Sequence, residues 1–255
     1  MSMYACPVFP LTLDLMCLNG QYDVLLGVDD MKTKLRIKGD HAYFVITELD
    51  ERFHNAAEAM FYNRVEDGFA KRFPTNTPRL DNAYWNFEKY IEEVILQMAG
   101  VHPVPWEKSL LAFLDVVEAQ DIDWWLTGSA ALTVRGLDIV PHDFDIVVDA
   151  EGAHKLGELL SDYVFEPVVD CEGWFFKWFG RAFLHARIEW VGAVNDSADE
   201  PEVSEFGPTA ASSLETAYWR EHEIRVPPLR LQLRHSERRG LTDRVRKIKT
   251  IMDQS

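Results

Sequence analysis

Two carboxylates, Asp143 and Asp145, stand two residues apart in a run completed by Phe144, Ile146, Val147 and Val148. Strand geometry of period two puts both acids on one face and Phe144, Ile146 and Val148 on the other. Like charges held this close raise each other's pKa unless a cation neutralises them, so the pair suits a hard divalent metal, Mg²⁺ by default. The same residues would also suit the solvated face of an edge strand. Upstream, Gly128 and Ser129 break the short apolar run Trp124-Trp125-Leu126, and Ala130 to Arg135 read as a short helix stopped by Gly136. A strand, a tight turn and a helix start aim backbone N–H groups at one point in space, where a triphosphate is readily held. Thirteen residues separate Ser129 from Asp143.

This order and separation, a hydrophobic strand with Gly-Ser followed by a hydrophobic-flanked Asp-x-Asp, resembles the signature of the polymerase-beta-like nucleotidyltransferase superfamily. Within it, Val140-Pro141-His142-Asp143-Phe144-Asp145 is most similar to aminoglycoside and lincosamide adenylyltransferase-like proteins. The family pattern calls for a third carboxylate on a later strand, and Glu189 is the candidate. Alternation in Phe183 to Val191 sets Leu184, Ala186, Ile188 and Trp190 on one face, and Phe183, His185, Arg187, Glu189 and Val191 on the other, with Glu189 pointing away from the presumed core. An exposed Arg187 and Glu189 pair would give the same pattern.

The resemblance covers roughly residues 106 to 250. It implies an α/β (α+β) nucleotidyltransferase core with a compact mixed sheet and flanking helices. It further implies that Asp143, Asp145 and Glu189 hold two Mg²⁺ ions, with Glu189 completing the second metal site or acting as general base, and that Gly128 and Ser129 cradle the nucleotide's phosphates. NMP would pass from an NTP, ATP first, to an acceptor hydroxyl with release of pyrophosphate, and the acceptor would be a small molecule. Alternatives on the same fold are a toxin-type enzyme modifying tRNA or protein, and a degenerate nucleotide-binding module. The C-terminal run of a Pro pair, a helix and Arg239-Gly240-Leu241-Thr242-Asp243-Arg244 is similar to the tail of small nucleotidyltransferases but lacks the expected Lys. Arg238, Arg239 and Arg244 would there touch phosphates or balance the acidic body.

Charge bears on the partner. The formal net charge is −16, yet residues 218 to 249 carry 10 basic and 4 acidic residues while residues 101 to 217 carry 6 and 22. Long phosphate-backbone binding calls for a broad basic surface, which this chain lacks. An acidic catalytic region with a local basic strip better suits a metal-bound nucleotide and a cationic small acceptor. No stretch approaches the ~18 uninterrupted apolar residues of a membrane helix. The N-terminus lacks a basic region ahead of its apolar run, and three cysteines, Cys6, Cys17 and Cys171, show no C-x-x-C spacing, so a cytoplasmic location without a disulfide framework or zinc site is expected.

The Pro-rich break after Gly100 divides the expected organisation into an N-terminal α+β domain over 1–100, of no assigned role, and a nucleotidyltransferase domain over 101–255. In the first, hairpins are expected at Leu11–Leu18 with Tyr22–Val28 and at Leu35–Ile37 with Ala42–Ile46. A helix should follow over Glu51–Tyr62, then a loop over Lys71–Pro78, then an amphipathic helix over Leu80–Met98. In the second, helices are expected at Lys108–Ala119 and Gly152–Leu160 and a strand at Val164–Val169. A hairpin of Trp174–Phe179 with the Glu189 strand would turn at Gly180-Arg181, and Asn195–Pro208 would form an acidic loop.

Overall fold

A computed structural model describes residues 31–171 and 173–254; the expected hairpin over 11–28 lies outside them. The N-terminal part folds as an antiparallel four-stranded sheet of β1 (Lys32–Lys38), β2 (His41–Thr47), β3 (Asn63–Val65) and β4 (Gly68–Pro74), in the order β1-β2-β4-β3. The short helix α1 (His54–Ala59) connects β2 to β3. The turn at Gly39-Asp40 joins β1 to β2 as its sequence implies, with Gly39 at φ +61°. Lys71–Pro74 does not loop: it completes β4, because Phe69 and Phe73 bury on the sheet while Lys71 finds a buried ion-pair partner.

Helix α2 (Leu80–Met98) matches its expected bounds, and its apolar stripe of Phe87, Ile91, Val94 and Ile95 is fully buried. Phe87 packs on Phe44 with ring centroids 5.2 Å apart, and Phe44 packs on Phe73 at 4.7 Å, so the first sheet and α2 close one aromatic core. That core does not stop at residue 100. It continues through Leu110 and Phe113 of α3 (Trp106–Val117) into Leu126, Ile146, Ile188 and Trp190 of a second sheet. Polar side chains of α2 fasten the junction: Asn86 Nδ2 donates to the carbonyls of Ser161 (2.8 Å) and Val164 (2.9 Å), and Gln97 Nε2 to that of His185 (2.9 Å).

The second sheet orders its strands β5 (Trp124–Thr127), β6 (Phe144–Val148), β9 (Arg187–Val194), β8 (Phe176–Phe183) and β7 (Val164–Asp170). All neighbours are antiparallel except β6 and β9, which gives the mixed sheet expected of the fold. Helices α4 (Gly128–Val134) and α5 (Ala150–Leu159) follow β5 and β6 directly. The hairpin joining β8 to β9 turns at Leu184 to Ala186, with His185 at φ +68°, and not at Gly180-Arg181, which lie inside β8. Gly180 is there for proximity: a Cβ on it would overlap the Trp190 indole on the paired strand. On the other face of this sheet Trp125, Val147, Phe176, Phe179 and Val191 form a separate cluster.

Beyond β9 come the loop expected over 195–208, the short helix α6 (Pro208–Ala211), and a two-stranded ribbon of β10 (Glu215–Trp219) and β11 (His222–Val226). Pro227 and Pro228 then lead into α7 (Leu229–Arg238), and Gly240, at φ +69°, separates it from α8 (Thr242–Met252). Cys171 is disulfide-bonded, although the sequence indicates no disulfide framework. Among the described residues no helix is long and apolar enough to cross a membrane.

Candidate active site

Strand register alone builds the site. Thr127 pairs with Asp145 across β5 and β6, Asp145 with Glu189 across β6 and β9, Glu189 with Arg181 across β9 and β8, and Arg181 with Glu166 across β8 and β7. Paired residues share a face, so one polar row crosses all five strands, with Asp145 and Glu189 side by side at its centre. Asp143 lies one residue ahead of β6 and joins the same cluster through Arg187.

Gly128 fixes the approach of the turn. It sits in the left-handed region at φ +66°, and a Cβ on it would overlap Asp145 Oδ2, so only glycine lets the start of α4 close onto that carboxylate. Ser129, next in the turn, is buried, and its hydroxyl makes no hydrogen bond among the described residues. The Gly128 N–H donates to Glu205 Oε2 at 3.2 Å, and the same oxygen accepts from Thr127 Oγ1 at 2.9 Å and Gln232 Nε2 at 3.0 Å. Glu205, in the loop after β9, and Gln232, on α7, thus tie the turn to the C-terminal helices.

Glu189 does not project into solvent as its alternation suggested; it is 5% exposed. Its Oε1 receives Arg181 Nε at 2.7 Å and faces Arg187 Nε at 3.2 Å, while Oε2 accepts no hydrogen bond among the described residues. Arg187 reaches from Glu189 to Asp143, where its Nη2 donates to Oδ2. Arg181 also donates through Nη1 to Glu166 Oε2 (3.0 Å) and to the Met60 carbonyl (2.9 Å), and Lys71 Nζ closes the far end on Glu166 at 2.5 Å. The face is covered because β4 supplies Lys71 to it and the turn after α1 supplies the Met60 carbonyl.

Electrostatics separate the carboxylates. Burial pushes the Asp145 carboxyl well above the ordinary range, and the charges of Asp143 and Glu189 push it further against the opposing pull of Arg187. Glu189 goes the other way: burial would raise it, but the Arg181 and Arg187 guanidiniums hold it below its ordinary value. Glu205 is likewise held low despite burial, by His235 and by its bonds from Thr127, Gln232 and Gly128.

A hard divalent cation fits this donor set in part. Asp145 carries a destabilised charge with no ion pair, and Asp143 keeps Oδ1 without a hydrogen bond, so the two offer oxygens to one ion. Among the described residues, however, no three Asp, Glu, His or Cys side chains converge as a metal-holding group. Arg187 lies between Asp143 and Glu189.

Arg238, Arg239 and Arg244 act on His235, whose Nε2 lies 3.8 Å from Glu205 Oε1; burial and these three cations push its ring down in pKa against the opposing pull of Glu205. Arg238 lines an open cleft of about 750 Å³ with Asp199, Glu202 and Arg234, and its Nη2 lies 3.2 Å from His235 Nδ1. Sequence reading missed Glu205, Gln232, Arg181, Glu166 and Lys71 as parts of the site. No local signal marks them, since each is a common polar residue that matters only through a distant partner.

Residues 109–196 match the family model described as aminoglycoside-2''-adenylyltransferase. That span runs from α3 to just past β9, so it contains Gly128, Ser129, Asp143, Asp145 and Glu189 and ends before Glu205. No curated protein matches the chain. Two solved structures are similar in part. One is a Thermotoga maritima protein whose designation as a nucleotidyltransferase is itself provisional, with 18% identity, 59% of this chain and 94% of that chain covered, and a TM-score of 0.44. The other is the lincosamide antibiotic adenylyltransferase LnuA with lincomycin bound, with 17% identity, 57% and 97% covered, and a TM-score of 0.41. The nucleotidyltransferase resemblance read from the Gly-Ser turn and the Asp-x-Asp strand is borne out, over residues 109–196, as a match to the aminoglycoside-2''-adenylyltransferase family.

Proposed function

We propose that this chain transfers NMP from a nucleoside triphosphate, ATP first, to a hydroxyl of a small cationic acceptor, with divalent metal and release of pyrophosphate. The observation that carries the reading is the register that brings Asp145 beside Glu189 and under the Gly128 turn, with Asp143 in the same cluster. Asp143 and Asp145 would hold the metal, which when bound supplies charge neutralisation at the phosphates of an in-line displacement. Ser129 would face the phosphates, since the Gly128 amide is already engaged by Glu205. Glu189, held ionised by two arginines, is a poor proton acceptor, because a base held far below the working pH gains little from Brønsted behaviour. Its role would be to add negative charge beside Asp145.

An aminoglycoside-like acceptor follows from the family that the segment matches and from the net charge of −16, which favours a polycationic molecule over a polyanionic one. Arg238, Arg239 and Arg244 would meet the triphosphate from the α7 side or balance the acidic body. The test is a screen of α-³²P-labelled nucleotides with Mg²⁺ against aminoglycosides, lincosamides, total tRNA and the protein itself. Label on an aminoglycoside supports the reading. Label on tRNA or protein alone would replace the acceptor class, and no label anywhere with free pyrophosphate absent would refute transfer.

A further inference from the structure

We infer that the guanidinium of Arg187 stands in the place of a second metal, so that the site takes one divalent ion per chain and not two. The inference rests on the nucleotidyltransferase reading and deepens it. Three carboxylates suit two ions only if all three are free to ligate. Here Arg187 spans two of them: Nη2 donates to Asp143 Oδ2, and Nε lies 3.2 Å from Glu189 Oε1.

The arrangement is built. Arg187 is 8% exposed, a β9 residue whose Nη1 also meets Met98 Sδ at 3.2 Å, at the end of α2. A second guanidinium, Arg181, fixes Glu189 from the other side, and Arg181 is itself anchored by Glu166 and the Met60 carbonyl. Charge balance agrees. The buried row carries the carboxylates of Asp143, Asp145, Glu166 and Glu189 against the guanidiniums of Arg181 and Arg187 and the Lys71 amine, which burial and Arg181 bring down to about 7, and of the four carboxylates Asp145 alone has no ion pair. The unmatched charge sits at one point, beside the Gly128 turn, where one ion shared with Asp143 Oδ1 neutralises it. A second ion between Asp143 and Glu189 would have to expel a buried guanidinium that is hydrogen-bonded to Asp143 and ion-paired with Glu189, at a cost that a neutral side chain there would not impose.

The experiment counts protein-bound Mn²⁺ by equilibrium dialysis with saturating α,β-methylene-ATP and follows spin coupling between ions by EPR. Wild type should bind one ion per chain and show no Mn–Mn coupling. Arg187→Met should bind two, with the coupling expected of ions about 4 Å apart. Arg187→Lys, which keeps the charge, should remain at one. Two ions in the wild type, or one in an Arg187→Met protein that melts cooperatively, would overturn the inference while leaving the metal-dependent reading in place. If Arg187→Met does not fold, the wild-type count decides alone. No nucleotide-dependent Mn²⁺ binding by the wild type would overturn the inference together with the metal-dependent reading beneath it.

Discussion

At the scale of single residues the site is defined by one strained charge among several satisfied ones. Asp145 is partly buried, its carboxyl pushed well up by burial and by Asp143 and Glu189, with no cation bonded to it. Such a group destabilises the metal-free protein, so Asp145→Asn should raise the melting temperature measured without metal, and added Mg²⁺ should stabilise the wild type but not the variant. Glu189 behaves oppositely. Sequence alone suggests that Glu189→Gln would spare the fold, because the side chain reads as surface; the structure makes it the shared partner of Arg181 and Arg187. Breaking a buried pair leaves uncompensated charge, so Glu189→Gln should cost on the order of 3 kcal/mol in denaturant titration. Its neighbour Trp190 is fully buried and donates through Nε1 to the Ala153 carbonyl at 3.0 Å. Trp190→Ala should cost about 3–5 kcal/mol through cavity formation, so the two neighbours resemble each other in stability for different physical reasons.

Between residue and whole chain, the loop after β9 is held by one carboxylate. Asp199 Oδ1 accepts from the Ser204 N–H and Oδ2 from the Thr209 N–H, both at 2.9 Å, and a Cβ on Gly207 would overlap its carboxyl group. These bonds present Glu205 to Thr127 and Gly128. Although partial burial opposes it, the backbone and side-chain bonds from Ser204 and Thr209 hold the Asp199 pKa below the usual carboxylate range. A depressed carboxylate contributes stability that is fully present above its unfolded pKa and lost as pH falls through the folded value. The loop should therefore loosen under acid, read as faster proteolysis between residues 196 and 207 in the wild type at low pH. Asp199→Asn should show that faster cleavage already at pH 7, with a flatter pH dependence. Equal cleavage of both proteins at pH 7 would remove Asp199 from this role.

Across the whole molecule, the polar row joins parts that sequence reading kept separate. Periodicity exposed α2, β6 and the break at Gly240 because each is set by local spacing: a 3.6-residue stripe from Phe87 to Ile95, an alternation through Asp145, a left-handed glycine. The burial of Glu189 was illegible because its cover comes from Arg181 on another strand and from Lys71 and Met60 more than a hundred residues earlier. Gly180 misled for a related reason, since a glycine needed for the Trp190 contact looks in sequence like a turn. The N-terminal sheet accordingly takes part in holding Glu189, through Lys71 on Glu166 and Glu166 on Arg181. Lys71→Met should destabilise the protein by about 3 kcal/mol, as for other broken buried pairs, measured by denaturant titration. A change within ±0.5 kcal/mol would show that the row ends at Glu166.

The claim on which the rest depends is that Asp143 and Asp145 carry metal-dependent nucleotidyl transfer. The most direct measurement is release of labelled pyrophosphate from γ-³²P-ATP with an aminoglycoside acceptor and Mg²⁺, comparing wild type with a folded Asp145→Asn protein. The account predicts acceptor-dependent release by the wild type, abolished by EDTA and reduced on the order of 100-fold or more in the variant, given that losing even an outer-shell partner of a metal ligand costs 10–100-fold. Equal release by the two proteins, or release unaffected by EDTA, would contradict it.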